Sequence, residues 1–267
     1  GDGEVALAAG GGAGDDGESE KGASLHRSRL DSPAGCTGAG MGKVMAALTG
    51  DLVRSSRLDP RSLDRERGIV RRAVQATNRW GTGLVPAEVE FFRSDSWQVV
   101  VAEPGVALRA AMFIRASLLA EGGSDTRIAI GIGEVRRVVR GKVSLSSGDA
   151  LTLSGHALDS MSPAFRMTIA ASDAVGPLAP WLPVVACLCD SLIRLWTKRQ
   201  AGIVRELLLA FPSRTHAEVA DRLGVTRQNV SKSLAGAGWQ SLQEALRVFE
   251  ETDWGYGRGS QKWLRLK

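Results

Sequence analysis

Residues 215–235 read THAEVADRLGVTRQNVSKSLA, and this stretch predicts two short helices joined by a tight turn. Thr215 is a favoured helix-capping residue, and Glu218, three positions later, completes a capping box. Gly224 is predicted to end the first helix, because glycine tolerates the positive φ that a helix C-terminus commonly requires. Small and apolar residues recur between these two points at helical spacing, so the first helix has one face suited to packing.

The second helix of this stretch begins after Thr226, which can cap it, and its apolar residues Val230 and Leu234 are four positions apart on one face. Its remaining side chains are polar, and hydroxyl, amide, guanidinium and ammonium groups are those that contact phosphates and base edges in a DNA major groove. The residues predicted to contact DNA are Thr215, Thr226, Arg227, Gln228, Asn229, Ser231 and Lys232. The stretch therefore predicts a helix-turn-helix that binds double-stranded DNA, with an ordinary helical hairpin bearing a solvated polar face as the alternative.

The charge distribution supports a polyanionic partner for the C-terminal part. The 267-residue chain has a formal net charge of +5, but residues 183–267 contain 13 Lys and Arg against 8 Asp and Glu, while residues 1–40 contain 3 against 7. A basic segment around a helix-turn-helix fits nucleic acid. One such motif makes few contacts, so specific binding predicts a homodimer on a palindromic site.

Composition divides the chain into four predicted segments. Residues 1–40 are rich in Gly, Ala, Ser and Asp with few large apolar residues, so this segment is predicted to be disordered. Residues 41–180 are predicted to form an α+β domain, and Pro177, Pro180 and Pro183 mark its end. A helical linker and the helix-turn-helix domain follow over 181–251, and residues 252–267 form a basic, aromatic tail.

Hydrophobic periodicity within residues 41–180 predicts alternating strands and helices. The predicted strands are 43–48, 88–92, 97–101, 126–133, 135–143 and 165–170, and the predicted helices are 61–80, 106–120 and 148–160. This order is that of a ferredoxin-like split βαβ unit with additions. The fold class is therefore α/β in the α+β sense, followed by an all-α domain with helices at 184–196, 198–209 and 238–249 besides the helix-turn-helix.

Other features restrict where the protein acts. The sequence is interpreted as lacking both a run of eighteen apolar residues and a basic, apolar signal peptide, so no membrane span is expected. Cys36, Cys187 and Cys189 have neither metal-binding nor disulfide-framework spacing, which is typical of a reducing compartment. We therefore expect a cytoplasmic protein without a membrane partner.

Five stretches of the predicted α+β domain resemble a known family. They are LTGDLVRSSRL (48–58), FFRSDSWQVVV (91–101), ALRAAMFIRASLL (107–119), DTRIAIGIGEV (125–135) and SSGDALTLSGHALDSM (146–161). Together they resemble the SatD family, some members of which end in a helix-turn-helix. The same stretches resemble, more distantly, the catalytic domain of class III nucleotide cyclases.

The cyclase resemblance implies a nucleotide and metal pocket. In cyclases two aspartates hold two metal ions, and Asp51 and Asp95 lie at the matching places, where they would suit Mg²⁺ bridging a triphosphate. The full implied pocket, for a nucleotide effector, consists of Asp51, Asp95, Gly131, Gly133, Thr152 and His156. Structural roles are the alternatives: turn capping for Asp51, a hairpin tip for Asp95, close strand packing for the glycines and a satisfied helix histidine for His156.

Two of these positions argue against catalysis. Thr152 and His156 stand where the cyclases carry an asparagine and an arginine, and histidine cannot replace the bidentate cationic fork of arginine on a transferring phosphoryl group. The first hypothesis is therefore a dimeric, DNA-binding transcriptional regulator with a catalytically degenerate sensory or dimerisation domain, and no catalytic residue is assigned. A metal-dependent nucleotide enzyme and a non-catalytic interaction module remain as alternatives.

Overall fold

The computed structural model describes residues 42–122, 124–140, 142–210 and 213–255. The predicted disorder of residues 1–40 falls outside these residues, as does most of the predicted tail over 252–267. The description below concerns the described residues of the compact unit formed by Gly40–Lys267.

A single mixed sheet forms the centre of the N-terminal part. Its strands are β1 (Lys43–Leu52), β2 (Glu90–Phe92), β3 (Ser96–Val101), β4 (Thr126–Arg137), β5 (Ser147–Gly148) and β6 (Met167–Ala171). The order β2-β3-β1-β4 is antiparallel throughout, and both β5 and β6 lie on the far side of β4. The β6 strand runs parallel to β4. This strand order is the predicted split βαβ arrangement, and the mixed α+β class is confirmed.

Three helices connect these strands and cover the sheet. They are α1 (Pro60–Thr77), α2 (Ala107–Ala120) and α3 (Asp149–Ser160). Asp59 caps α1 by accepting hydrogen bonds from the backbone of Arg61 and Ser62. Pro60, at the first helical position, has no backbone N–H that would require a partner. Almost every residue of α2 is buried, because sheet and helices surround it.

The C-terminal part is helical. Its helices are α4 (Leu182–Ile193), α5 (Lys198–Leu209), α6 (His216–Leu223), α7 (Arg227–Gly236) and α8 (Trp239–Glu251). The predicted bounds of α5 agree with the structure at both ends, since the capping box of Thr197 and Gln200 is a local signal. The other helices differ from prediction by a few residues at their ends.

The predicted edge strand at residues 135–143 is wrong. Its first residues belong to β4, where Val135 pairs with Lys43, and its last residue, Val143, begins a short 3₁₀ turn. The short strand β5 takes the edge position and pairs with β4 across a register shift. β4 continues beyond its predicted end because the first residues of β1, Lys43 and Val44, pair with Val135 and Glu134.

One hydrophobic core joins the sheet and the C-terminal helices. It includes Ile130 of β4, Met112 of α2 and Leu242 of α8. Two buried ion pairs cross the same region: Arg109 of α2 binds Glu250 of α8 at 2.6 Å, and Arg115 of α2 binds Asp190 of α4 at 2.7 Å. The predicted domain division at residue 180 stays a prediction, and the packing across it is continuous.

One apolar stretch among the described residues, Gly176–Ile193, has the length and composition of a membrane-crossing helix, and 28% of it is buried. The expectation that the chain lacks such a stretch is therefore not met. The stretch is not one regular helix, however, because Gly176 has φ 73° and ψ −146° and a 3₁₀ segment precedes α4. The 12 residues of α4 span about 18 Å, short of a bilayer core of about 30 Å.

Candidate functional site

The first helix of the quoted stretch, α6, begins where the capping box predicts. The Thr215 hydroxyl accepts a hydrogen bond from the backbone of Glu218 at 3.3 Å, and the Glu218 carboxylate accepts one from the backbone of Thr215 at 2.7 Å. These bonds lower the pKa of Glu218 below its ordinary value, so the box persists at neutral pH. At the other end, Gly224 has φ 63° and ends the helix in the left-handed conformation.

The second helix, α7, is fixed by its cap and its apolar side. The Thr226 hydroxyl accepts a hydrogen bond from the backbone of Asn229 at 3.2 Å. Val230 and Leu234 are buried against the apolar side of α6, where Val219 and Ala220 are buried as well. The orientation of α7 is therefore determined by packing on one face, which leaves the opposite face for other contacts.

The helix α5 supports both of these helices from behind. Glu206 on α5 accepts hydrogen bonds from Arg214 at 3.0 Å and from Arg222 at 3.1 Å, which ties the start and the end of α6 to α5. Just before α5, the Trp196 indole donates to the carbonyl of Ala237 at 2.9 Å, at the end of α7. These supporting residues escaped the sequence reasoning, and Arg214 and Arg222 already share the Glu206 carboxylate within the chain.

The seven residues predicted to contact DNA fall into two groups. Four are exposed on α7 and have no ion pair or side-chain hydrogen bond to any residue that the structure describes; they are Arg227, Gln228, Asn229 and Lys232. Three have structural roles: Thr215 and Thr226 are caps, and Ser231 is half-buried and hydrogen-bonded to the His216 ring at 2.9 Å. We call the four exposed side chains the open face of α7. They comprise two cations and two amides; Gln228, Asn229 and Lys232 lie on the side away from Val230 and Leu234, and Arg227 is exposed as the first residue of the helix.

The second predicted site lies where β1 ends and the β2–β3 hairpin turns. Asp51 of β1 is paired with Ser96 of β3 in the sheet, so Asp51 and Asp95 are neighbours as the sequence predicts. Burial raises the pKa of Asp51; Arg127 opposes this, and the Asp95 carboxylate adds to it.

Both carboxylates are already engaged by residues of the chain. The Arg127 guanidinium on β4 contacts Asp51 at 3.2 Å, and the Ser55 hydroxyl donates to Asp95 at 2.5 Å. Arg127 also donates to the carbonyls of Leu158 and Met161, which holds it between the sheet and the end of α3. Across the described ranges, no group of three or more His, Cys, Asp or Glu side chains could hold a metal ion. A pair of carboxylates of which one is already bound by a guanidinium does not suit Mg²⁺.

The glycines of the implied pocket serve packing instead. A Cβ atom on Gly131 would lie 2.1 Å from the Ala150 carbonyl oxygen, and one on Gly133 would lie 3.1 Å from Asp149, because α3 crosses closely over β4. The structural alternative for Gly131 and Gly133, close strand packing, is therefore the one that the structure supports.

Thr152 and His156 lie on the exposed side of α3, while the same helix buries Ala150, Ser154 and Leu158. Two grooves, of about 600 and 520 Å³, lie elsewhere. The first is lined by residues such as Arg71 and Arg140, the second by β6 and the start of α4, and neither is lined by any of the six predicted pocket residues. The geometry thus brings together Asp51 and Asp95 but does not assemble the predicted cleft.

Comparisons with known proteins include a weak structural similarity. No protein-family model and no curated protein sequence matches this chain, so the SatD resemblance stays a prediction. Among solved structures, the chain is similar to a bacterial light-regulated adenylyl cyclase, with a TM-score of 0.31 and 15% identity over 48% of this chain. The matched region spans 43% of that cyclase chain. This is a weak resemblance to a cyclase-type domain, and it carries no argument about function.

Proposed function

We propose that this protein is a sequence-specific, double-stranded DNA-binding regulator that places α7 in the major groove. The observation that carries the proposal is the open face of α7: four polar side chains without a partner among the described residues, on a helix whose other side is packed. The backbone of a packed helix loses little additional freedom on binding, which favours specific contacts by its side chains.

The chemistry of the open face divides between base reading and phosphate binding. The Gln228 and Asn229 amides can each donate to and accept from an adenine edge, and Arg227 can donate twice to a guanine. Lys232 lies about one turn further along the helix, where an ammonium group suits phosphate. In this proposal the helices α5 and α6 hold α7 at a fixed angle, as in a helix-turn-helix docked on DNA.

Selection of bound duplexes from a random pool tests the proposal directly. The parent protein is expected to enrich one sequence, and Gln228→Ala or Asn229→Ala to lose about 1–3 kcal/mol of preference at one base position. Lys232→Ala is expected to weaken binding to all duplexes and to reduce its salt dependence.

Two variants elsewhere on the surface are matched controls. Gln243 is exposed on α8, and Arg136 is 66% exposed on β4. Gln243→Ala is therefore the control for Gln228→Ala, and Arg136→Ala is the control for Arg227→Ala, because each removes the same type of side chain from another surface. Both control variants are expected to select the parent sequence. If all the α7 variants bound the selected duplex as the parent does, the proposal would be wrong.

The two alternative hypotheses give other results in simple assays. A nucleotide enzyme predicts release of pyrophosphate or phosphate from ATP or GTP that depends on Mg²⁺ and is lost in Asp51→Asn. An interaction module predicts neither duplex selection nor nucleotide turnover. No observation at the strand ends favours the enzyme, because Arg127 and Ser55 already engage the two carboxylates.

A further inference from the structure

Large apolar side chains are concentrated on one surface of the C-terminal helices. Six of the exposed large apolar residues in the described ranges belong to it: Leu178, Trp181, Val184, Leu188, Leu195 and Val248. We call this surface the α4–α8 face. Its most exposed members are Trp181 at 65%, Leu188 at 63% and Leu195 at 76%. Clustering of this kind on a water-facing surface marks an interaction site.

The helix α4 is apolar on both of its sides. Its inner side buries Ala186, Cys189 and Ile193, and Asp190 on that side binds Arg115, so α4 is anchored in the protein core. Its outer side presents Val184 and Leu188, four positions apart. A helix that is apolar on both sides is typical of one covered on both sides.

The α4–α8 face contains both a recess and protrusions. The recess has a volume of about 280 Å³ and lies between α8 and the 3₁₀ segment before α4, with Ala245 and Phe249 among its lining residues. Leu188 on α4 and Leu195 just after it are exposed and do not line the recess. A surface that offers both a recess and aliphatic side chains to fill one can pair with itself across a two-fold axis.

Charged groups of both signs lie at the edge of the recess. Glu244 lines it, and Arg247 on the same helix contacts Glu244 at 2.6 Å and Glu251 at 2.5 Å. Both signs of charge are therefore present around one apolar centre, which is the arrangement of an isologous interface with a polar rim.

We infer that the α4–α8 face binds the same face of a second copy of this chain. The inference rests on the proposed function in one respect: reading a palindromic duplex needs two α7 helices at a fixed spacing. Only Ala237 and Gly238 separate α7 from α8, and a Cβ atom on Gly238 would lie 3.0 Å from the Leu192 side chain. Pairing through α4 and α8 would therefore fix the distance between the two α7 helices.

Sedimentation velocity of the full chain without DNA tests the interface. The parent is expected to be dimeric at micromolar concentration, and Leu188→Glu to raise the dimer Kd about 100-fold, because it buries an unpaired charge in the interface. Leu145→Glu is the matched control, since Leu145 is 62% exposed on another surface; it is expected to remain dimeric. Trp181→Arg provides a second variant of the face.

Three outcomes overturn the inference. The first is a monomeric parent over the whole concentration range. The second is a parent that floats with vesicles of anionic phospholipid and loses this binding in Leu188→Glu, which would make the face a membrane-binding surface. The third is a monomeric parent that becomes dimeric only when residues 256–267 are removed, which would assign the face to that segment.

Duplex selection separates this inference from the proposed function. A dimeric parent that selects no duplex would support the interface and contradict the DNA-binding function. A monomeric parent that selects a single, non-palindromic site would support the DNA-binding function and contradict the interface.

Discussion

The open face of α7 and the strand ends beneath α3 carry similar polar side chains but differ in what those side chains contact. On α7, Arg227, Gln228, Asn229 and Lys232 find no partner among the described residues. At the strand ends, Arg127 contacts Asp51 and Arg115 contacts Asp125; we call these four residues, with Asp95, which accepts from Ser55, the strand-end cluster.

The difference teaches that residue type at a motif position does not tell whether the group is free to act. Asp51 occupies the position that the cyclase resemblance assigns to a metal ligand, yet Arg127 contacts it at 3.2 Å. A group that is satisfied within the chain must lose that partner before it can bind a ligand, whereas an exposed and unpaired group need lose only water. Changes in the strand-end cluster should therefore alter stability, and changes on the open face should alter binding.

The largest expected effect is at the buried centre of the strand-end cluster. Arg115 is fully buried and contacts Asp125 at 2.6 Å and Asp190 at 2.7 Å; burial alone lowers its pKa, but the two carboxylates overcome this and the pKa is raised. Arg115→Ala removes the cation that Asp125 and Asp190 share, leaving Arg166 at 3.5 Å from Asp125, and is expected to lower the free energy of unfolding by about 3–5 kcal/mol. Urea denaturation of the parent and the variant measures this difference in the free energy of unfolding.

The control for this change is an arginine with a solvated partner. Arg72 contacts Glu121 at 3.0 Å, but its side chain is 61% exposed, so Arg72→Ala is expected to cost less than about 1 kcal/mol. Equal losses in the two variants would mean that the Arg115 cluster is solvated and that the two regions do not differ in the way described.

A smaller effect is expected where β4 passes beneath α3. Gly131→Ala brings a methyl group against the backbone of Ala150 and Ser154 and is expected to cost about 1–3 kcal/mol. Gly155 on the exposed part of α3 has nothing within 4 Å of its would-be Cβ, so Gly155→Ala is expected to stabilise the protein by about 0.5–1 kcal/mol. Thermal or urea unfolding distinguishes the two signs, and a neutral Gly131→Ala would show that the space is open to a ligand after all.

Local signals explain why the helices around α7 were predictable. Caps and turns act within four residues, so Thr215, Gly224 and Thr226 fixed the ends of α6 and α7, and Thr197 fixed the start of α5. The edge strand at residues 135–143 was wrong because a strand continues only as far as its neighbour pairs with it, and that partner lies far away in sequence.

Availability of the site residues could not be predicted for the same reason. Arg127 is 76 positions from Asp51, and Arg222 is 16 positions from Glu206. Sequence spacing carries no information about such contacts, so the predicted pocket treated Asp51 as a free ligand. The apolar run of α4 was visible in the sequence, but only the packing shows which of its sides faces water.

The open face itself should contribute little to stability. Thr226→Ala removes the hydroxyl that accepts from the Asn229 backbone and is expected to cost about 1 kcal/mol. Gln228→Ala, two positions later, is expected to change the free energy of unfolding by less than about 0.5 kcal/mol, because its side chain has no partner in the described chain. Urea denaturation of both variants tests this, and an equal loss at Gln228 would mean that its amide is engaged and that the face is closed.

The smallest effect is a dependence on pH at the rim of the strand-end cluster. Burial raises the pKa of Asp51 above its value of 3.8 in the unfolded chain, with Arg127 opposing and Asp95 reinforcing the shift. Between the unfolded and folded pKa values the native state therefore binds more protons, and this group lowers stability as the pH rises through that window. Asp51→Asn removes the titration, so its stability relative to the parent is expected to increase from pH 3.5 towards neutral pH.

Asp59 is the matched control for this last measurement, because hydrogen bonds from Ser62 lower its pKa. Its carboxylate stabilises the native state above pH 3.8 and loses that contribution as the pH falls, so Asp59→Asn is expected to lose stability relative to the parent as the pH rises. If relative stability changes with pH in opposite directions in the two variants, burial disfavours the charged form of Asp51, whereas hydrogen bonds favour the charged form of Asp59. Parallel slopes would mean that Arg127 outweighs burial at Asp51, and the strand ends would then hold a stable, fully compensated ion pair.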